Sequence, residues 1–419
     1  MAHHMRIDWA CELIRLTTSP PLVQILLAGT LLTRTAFFMV WPFLAVILLR
    51  DFHLSPSQIG SILAGASAAG NLMGFYFGNL SDRFGRRNIM IAGCLGSVAA
   101  FVVLAAAHSV LLYSLGAILV GFCRSAIETP GSALISETIE DQAARELAFH
   151  ARYFLANVGG AIGPLMGFML GLVAQRTTFF LTALTYLVFA GALVMGFRQT
   201  AETVSPHAKE EARLSKVIST LRRDHRFLML IIASFLAYAA YAQVESTLVQ
   251  YLNLTGSKEG VGLVTALIAT NGLTIIVFQF PLLRLLRSYD LYVRIYAGLA
   301  LFIAGFVSYV FLPTDSYPGW IFGTWILSMG EAILFPTLNL QADRMASGRL
   351  RGSYFGALTL SNLGFSAGPL VGGVMLQAVG GPKTFVLTVL VIILGGLSYW
   401  QSSRLAVPAG ARDDCASRG

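Results

Sequence analysis

Twelve runs of about 20 apolar residues dominate this 419-residue sequence. A bilayer offers no water to the backbone N–H and C=O groups, so a chain with this pattern must cross it as α-helices. Charged residues make up only 12% of the sequence, about half the share of ordinary soluble domains. The sequence therefore predicts an all-α membrane protein with twelve transmembrane helices, called spans 1 to 12. Their predicted ranges are 22–49, 57–80, 88–107, 110–135, 153–173, 177–197, 227–250, 260–283, 292–312, 319–341, 353–379 and 384–404.

The positions of the basic residues predict the direction of the chain. Most of the 29 Lys and Arg residues fall in the two tails and the even-numbered connections, where Arg145 and Arg152 are assigned to the connection between spans 4 and 5. Cytoplasmic loops are rich in Lys and Arg, so both termini are predicted to be cytoplasmic in a bacterial inner membrane. Because these residues lie in short loops between apolar runs, the net charge of +8 does not indicate nucleic-acid binding.

A repeat divides the chain into two halves of six spans. The pattern Asn-x-Gly-x-x-x-Gly-Pro begins at Asn157 in span 5 and again at Asn362 in span 11. The predicted domains are 1–197 and 227–419, joined by a cytoplasmic linker at 198–226. Residues 208–218 of the linker form either a short amphipathic helix on the membrane surface or a solvated segment. Close helix packing or a hinge is predicted at Gly159, Gly163, Pro164, Gly167, Gly364, Gly368, Pro369 and Gly372.

Five charged side chains lie inside the predicted spans, all of them on spans 1, 4, 7 and 10. They are Arg34, Arg124, Glu128, Glu245 and Glu331. A charge in hydrocarbon costs several kcal/mol, so such groups normally face protein or a water-filled cavity. The pattern predicts a polar pathway lined by one span from each successive group of three, as in a transporter. Three acidic and two basic groups weakly favour neutral, zwitterionic or monocationic cargo.

The three glutamates are candidates for proton coupling, with alternatives open for each. Glu331 is either a proton carrier or the partner of Arg34 or Arg124 in a permanent ion pair. Arg124 and Glu128 are four residues apart on one helix face, and form either a structural pair or a proton or substrate site. Glu245 either binds a cation or reaches the outer surface. Candidates for substrate contact are Phe38, Trp41, Tyr241, Gln243, Asn271 and Trp325. The alternative is an interhelical hydrogen bond for Asn271 and lipid contact or core packing for the aromatic residues.

The connection between spans 2 and 3 carries the most specific motif. It runs Gly78-Asn-Leu80-Ser-Asp82-Arg83-Phe-Gly85-Arg86-Arg87. This resembles the signature loop of the major facilitator superfamily, Gly-x-Leu-x-Asp-Arg-x-Gly-Arg-Arg/Lys. The glycine pattern of span 5 resembles that of the superfamily's antiporters, and the stretches around Arg34 and Glu331 resemble its drug:proton antiporter branch. Ala117 stands where that branch usually has an arginine four residues before Gly121.

This resemblance implies a fold of two pseudo-symmetric six-helix bundles. It also implies a cytoplasmic gate in which Asp82 latches the two halves near the N-terminal end of span 11. The residues of this gate are Gly78, Asp82, Arg83, Gly85, Arg86 and Arg87.

The sequence predicts a transporter that exports small amphiphilic compounds, such as drugs or dipeptides, in exchange for protons by alternating access. Its expected partners are a small-molecule substrate, protons and membrane lipids, and the resemblance implies a monomer. The sequence holds no Walker-type phosphate loop, metal motif or catalytic set of residues, so no ATP, cofactor, metal or enzymatic activity is expected. The alternatives are a proton-coupled importer or facilitator on the same fold, or a lipid flippase or membrane sensor.

Overall fold

The computed structural model describes residues 19–41, 44–54, 56–169, 176–199, 219, 221–254, 260–346 and 350–405. Every regular element in these ranges is helical. Nine of the described helices are long and apolar enough to cross a membrane. Spans 2 and 5, which carry many Gly, Ser and Asn residues, and the interrupted span 11 are not among the nine. The prediction of an all-α membrane protein is confirmed.

The chain forms two compact units. The first unit holds spans 1 to 6 together with the stretch that ends at Gly356. Its helices are Pro21–Val40 and Leu44–Phe52 (span 1), Pro56–Phe84 (span 2), Arg86–Ala106 (span 3), Val110–Thr138 (span 4), Gln142–Met169 (span 5) and Arg176–Gln199 (span 6). Span 4 begins where Ser109 accepts a hydrogen bond from the Leu112 amide at 3.3 Å, a typical helix N-cap.

The second unit holds the remaining helices. They are His225–Glu245 and Thr247–Leu254 (span 7), Gly260–Leu286 (span 8), Leu291–Phe311 (span 9), Tyr317–Met345 (span 10), Leu363–Val379 (the later part of span 11) and Gly381–Arg404 (span 12). Span 11 begins with the helix Arg351–Leu358, whose residues up to Gly356 belong to the first unit. Asp224 and Asp290 cap spans 7 and 9 through the amides of Phe227 and Tyr292. The predicted linker helix at 208–218 lies outside the described residues.

The two units pack their helices in the same order. In the first unit span 1 packs against spans 5 and 6, span 4 against spans 2 and 3, and span 3 against span 6. In the second unit span 7 packs against spans 11 and 12, span 10 against spans 8 and 9, and span 9 against span 12. Each pair in one unit has its counterpart six spans later, as expected for two halves that arose by duplication.

The repeated glycines of span 5 lie where two backbones approach closely. A β-carbon added to Gly159 would lie 2.9 Å from the amide nitrogen of Thr35, and one added to Gly163 would lie 2.5 Å from its carbonyl oxygen. Distances this short are not tolerated between real atoms, so only glycine allows spans 1 and 5 to approach this closely.

Span 11 uses its glycines in the same way against span 7. A β-carbon added to Gly364 or Gly368 would lie 3.0 or 3.2 Å from backbone atoms of Ala239. The helix of span 5 continues past Pro164, whereas span 11 is interrupted by a 3-10 turn at Thr359–Asn362. The interruption of span 11 thus lies before the repeated glycines. The glycines themselves lie in the contact with span 7 and serve helix packing.

The substitution Gly163→Ala is expected to destabilise the protein by about 1–3 kcal/mol, because backbone atoms of span 1 cannot move away from the new methyl group. Gly191→Ala in span 6 is the matched control, since a β-carbon there meets nothing within 4 Å. Thermal unfolding of the detergent-solubilised proteins measures both effects. Equal melting temperatures for the two variants would contradict the packing role of Gly163.

Candidate functional site

Glu128 on span 4 is the centre of a polar cluster in the first unit. Its Oε1 atom lies 2.8 Å from Arg34 Nη2 and 3.0 Å from Arg124 Nε. The three side chains are partly accessible, with exposed fractions of 33% for Glu128, 23% for Arg34 and 35% for Arg124. Two guanidinium groups on one carboxylate oxygen offset the cost of placing these charges in an apolar span.

Arg152 joins this cluster from span 5. Its Nη2 donates to the backbone oxygen of Glu128 at 3.0 Å, and its Nη1 donates to Ser132 Oγ at 2.6 Å. The sequence places Arg152 in a connection, because the apolar run of span 5 begins at residue 153, but the helix begins at Gln142. Its position directly before the apolar run is the signal that could have found it. Arg34, Arg124, Glu128, Ser132 and Arg152 are called the Glu128 cluster.

Aromatic side chains of span 1 adjoin the Glu128 cluster. The Phe37 ring centroid lies 5.3 Å from that of Phe38 and 5.0 Å from that of Trp41. The guanidinium carbon of Arg124 lies 4.8 Å from the Phe37 centroid, in cation–π geometry. Phe37 is buried, whereas Phe38 and Trp41 are half-buried. Two of the predicted substrate-contact residues, Phe38 and Trp41, thus contact Phe37, the same ring that Arg124 contacts.

Glu331 on span 10 belongs to a second polar group, in the second unit. Its Oε2 atom accepts a hydrogen bond from Asn271 Nδ2 at 2.5 Å, and the same nitrogen lies 3.0 Å from Ser328 Oγ. Ser328 donates to the carbonyl oxygen of Thr324, whose hydroxyl lies 2.7 Å from that of Tyr309. Thr324, Ser328 and Glu331 are all buried along one helix. These five residues form a hydrogen-bonded row, called the Glu331 file.

Two other polar candidates lie on span 7. Gln243 is buried, donates to the backbone oxygen of Gly368 at 3.0 Å and accepts from Thr247 Oγ1 at 2.6 Å. These contacts favour helix packing over substrate contact for Gln243. Glu245 is the last residue of its helix, is exposed, and has a side-chain hydrogen bond with Tyr241.

The remaining aromatic candidates pack against other rings of the second unit. The Tyr241 ring lies 5.3 Å from that of Phe335 and 6.2 Å from that of Phe365. Trp325 stacks on Phe322 with a centroid distance of 5.7 Å. Both candidates are half-buried, so each keeps part of its surface open to a ligand or to lipid.

Asp82 of the signature loop binds the start of span 11. Its Oδ1 accepts from the Gly352 amide at 2.9 Å, and its Oδ2 accepts from the Ser353 amide at 2.7 Å and from Ser353 Oγ at 2.6 Å. Arg86 Nη2 also donates to Asp82. The first amides of a helix have no partner within it and carry the positive end of its dipole. The carboxylate therefore caps the helix that begins at Arg351, at the place which the resemblance predicts.

Arg86 links this contact to the end of span 4. Its Nη2 lies 2.7 Å and its Nε 3.3 Å from the two carboxylate oxygens of Glu137. Arg351 donates to the carbonyl oxygen of Ser136 at 2.7 Å. Arg83 and Arg87, by contrast, are exposed. The six predicted gate residues thus divide into a buried network around Asp82 and Arg86 and a basic surface.

The two glycines of the gate have separate structural reasons. Gly85 joins the helices of spans 2 and 3 with a φ of 90°, a conformation that favours glycine. Gly78 lies against the start of span 11, where an added β-carbon would approach the Gly356 Cα to 2.9 Å. Gly78 thus permits the close contact with span 11, and Gly85 permits the turn between spans 2 and 3.

Long apolar helices that bury charged groups in this way define a multi-pass membrane protein. The sequence profile of the Major Facilitator Superfamily matches residues 26–362, and the chain belongs to this family.

The curated relatives match this chain over most of their own length. YqjV, an MFS-type transporter of Bacillus subtilis strain 168, is 28% identical and covers 90% of this chain and 92% of its own length. The Na(+), Li(+), K(+)/H(+) antiporter of Planococcus maritimus is 25% identical over 90% of this chain and 94% of its own. The class B tetracycline resistance protein of Escherichia coli is 26% identical, and the match covers 83% of this chain and 86% of that protein.

A solved structure supports the same fold. The crystal structure of the human organic anion transporter MFSD10 matches with a TM-score of 0.73 at 19% identity, covering 90% of this chain and 99% of that one. The family, its antiporter-branch resemblance and the fold of twelve spans in two pseudo-symmetric bundles are confirmed.

The substitution Asp82→Asn is expected to release the start of span 11. An amide has one acceptor oxygen instead of two and no charge, so it cannot cap both Gly352 and Ser353 while binding Arg86. Hydrogen–deuterium exchange of the peptide covering 350–358 should become about tenfold faster. Asp315→Asn, the same change at an exposed loop residue, is the control. Unchanged exchange in the Asp82 variant would contradict the capping role.

Proposed function

We propose that this protein is a proton-coupled secondary transporter that exports small amphiphilic compounds by alternating access. The observation that carries the proposal is the Glu331 file, in which a carboxylate with 2% exposure lies within an apolar helix. An acidic group at such a position in a membrane protein is expensive to maintain and marks an ion or proton pathway.

The contrast between Glu331 and Glu128 supports Glu331 as the proton carrier. Glu128 has two guanidinium groups on its carboxylate, and each of them favours the ionised form. Glu331 accepts a hydrogen bond from the side-chain amide of Asn271. A carboxylate held between two arginines is stabilised as an ion, so Glu128 does not suit a group that must load and release a proton, and the proposal assigns that role to Glu331.

The Glu331 file also offers protons a polar route. With both termini cytoplasmic, as the basic residues predict, span 10 enters from the outer side and Thr324 lies outward of Glu331. The buried hydroxyl groups of Thr324 and Ser328 then lead from the outer half of the membrane toward the carboxylate. Protons entering from outside a bacterial inner membrane would reach Glu331 along this row.

The relatives support exchange rather than simple diffusion. One of them is named an antiporter of alkali cations and protons, and another a tetracycline resistance protein. In the proposed cycle the contact of Asp82 with the start of span 11 is the cytoplasmic latch that forms and breaks. The close glycine contacts between spans 1 and 5 and between spans 7 and 11 provide smooth surfaces for small helix movements. The proposed working unit is a monomer.

Proton movement in inside-out proteoliposomes tests this proposal. Vesicles with an acidic lumen receive lipophilic cations, dipeptides, sugars or alkali cations, and a lumenal pH dye reports proton efflux. An exporter coupled to protons should release lumenal protons when its substrate is added. Glu331→Gln should abolish this signal, because the amide cannot carry a proton in exchange.

Glu245→Gln is the matched control, since Glu245 is exposed at the end of its helix and should leave most of the signal. Loss of the signal in Glu245→Gln but not in Glu331→Gln would move the proton site to span 7. Substrate uptake without proton movement would replace the proposal with a facilitator, and lipid movement alone would replace it with a flippase.

A further inference from the structure

The Glu128 cluster carries a surplus of positive charge. It contains three arginines, Arg34, Arg124 and Arg152, around one carboxylate. Glu128 is the only Asp or Glu in the sequence between Asp82 and Glu137, and none occurs from Leu22 to Arg50 or from Leu147 to Gln199. On the helices of spans 4 and 5 the next acidic residues are Glu137, nine residues after Glu128, and Glu146, six residues before Arg152. Within the cluster itself, Glu128 is the carboxylate that faces the arginines in the described contacts.

A surplus of buried positive charge is costly unless an anion accompanies it. The count from sequence, two arginines against three glutamates, omits Arg152 and mixes residues of both halves. Counted within the cluster itself, the formal charge is positive. The cluster therefore favours an anionic ligand over the neutral or cationic cargo that the sequence count weakly favours.

Arg124 has the geometry to meet such an anion. Among the described contacts its Nε binds Glu128, while its guanidinium carbon lies 4.8 Å from the Phe37 ring centroid and its side chain is 35% exposed. An arginine held at Nε presents its two terminal nitrogens as a fork, the arrangement that binds carboxylates in bidentate fashion. The contact with Phe37 holds the guanidinium near this ring.

The neighbouring side chains suit the apolar body of a ligand. Phe38 and Trp41 are half-buried, and Phe37 has Phe38 edge-on to it and Trp41 stacked on it. A molecule whose carboxylate meets Arg124 would place its apolar part against these rings. Cationic and aromatic groups side by side recognise an amphiphilic anion rather than an inorganic one.

We infer that the Glu128 cluster is a binding site for the carboxylate of an aromatic or amphiphilic organic anion, held by Arg124 and Arg34 beside Phe38 and Trp41. This inference rests on the proposed transport function and names its substrate class. Glu128 then acts as an internal competitor, because its own carboxylate occupies the two arginines that an external carboxylate would use.

Binding of three naphthalene compounds of equal size tests the inference without requiring transport. The probes are 1-naphthoate, neutral 1-naphthamide and cationic 1-naphthylmethylammonium, titrated by calorimetry into the full-length protein in nanodiscs of zwitterionic lipid. Wild-type protein should bind naphthoate about tenfold more tightly than naphthamide, as expected for hydrogen bonds between charged groups. It should bind the ammonium compound most weakly.

Two variants should change the preference for naphthoate over naphthamide in opposite directions. Arg124→Gln should remove the preference for naphthoate, whereas Glu128→Gln should strengthen it, because the competing internal carboxylate is gone. A purely structural role for the cluster would weaken naphthoate binding in both variants. Arg198→Gln, at an exposed arginine of span 6, should leave the preference unchanged, and naphthamide binding reports whether each variant remains folded.

The inference is overturned if the three probes bind equally or if the cation binds best. It is also overturned if the preference for naphthoate survives Arg124→Gln. The proposed function can fail separately. Naphthoate binding with no proton movement for any compound would keep the anion site and reject proton-coupled export. Proton efflux driven by cations, with no naphthoate binding, would keep the transporter and reject the anion site.

Discussion

A charge within an apolar helix must find a partner, and this requirement governs both polar groups of the protein. Glu128 satisfies it with two guanidinium groups, which hold the carboxylate as an ion. Glu331 accepts a hydrogen bond from the side-chain amide of Asn271. The two arginines fix Glu128 as an ion, and for this reason the proposed function assigns proton exchange to Glu331.

The two halves share a scaffold but differ in these charged groups. Helix pairs recur six spans apart, and the glycines of spans 5 and 11 bring the same helix pairs into close backbone contact. The arginines, however, cluster around Glu128 in the first unit, while the second contains the buried carboxylate of Glu331. Duplication therefore accounts for the architecture, and divergence of a few side chains accounts for the separate proton and anion roles proposed for the halves.

Sequence patterns predict what depends on neighbours along the chain. Apolar runs predict the spans, and a spacing of four predicts the contact between Arg124 and Glu128. Contacts between distant spans leave no such spacing, so the sequence leaves Asn271 open between substrate contact and an interhelical hydrogen bond and does not identify Glu331 as its partner. Arg152 is missed for another reason: its helix extends past the apolar run into polar residues, so hydrophobicity alone ends the span too early.

The Asp82 contact is strong, and the proposed transport cycle requires it to be reversible. Each hydrogen bond to a charged group contributes about 1.5–3 kcal/mol to stability, and Asp82 accepts bonds from Arg86, Gly352 and Ser353. Asp82 lies at the end of span 2 rather than in its apolar part, so water can hydrate the carboxylate and the helix amides once they separate. Arg86 remains beside Glu137 and keeps a partner in either arrangement. A latch of this kind can open without leaving a charge unpaired in hydrocarbon, which a contact between the arginines and Glu128 could not do without a replacing anion.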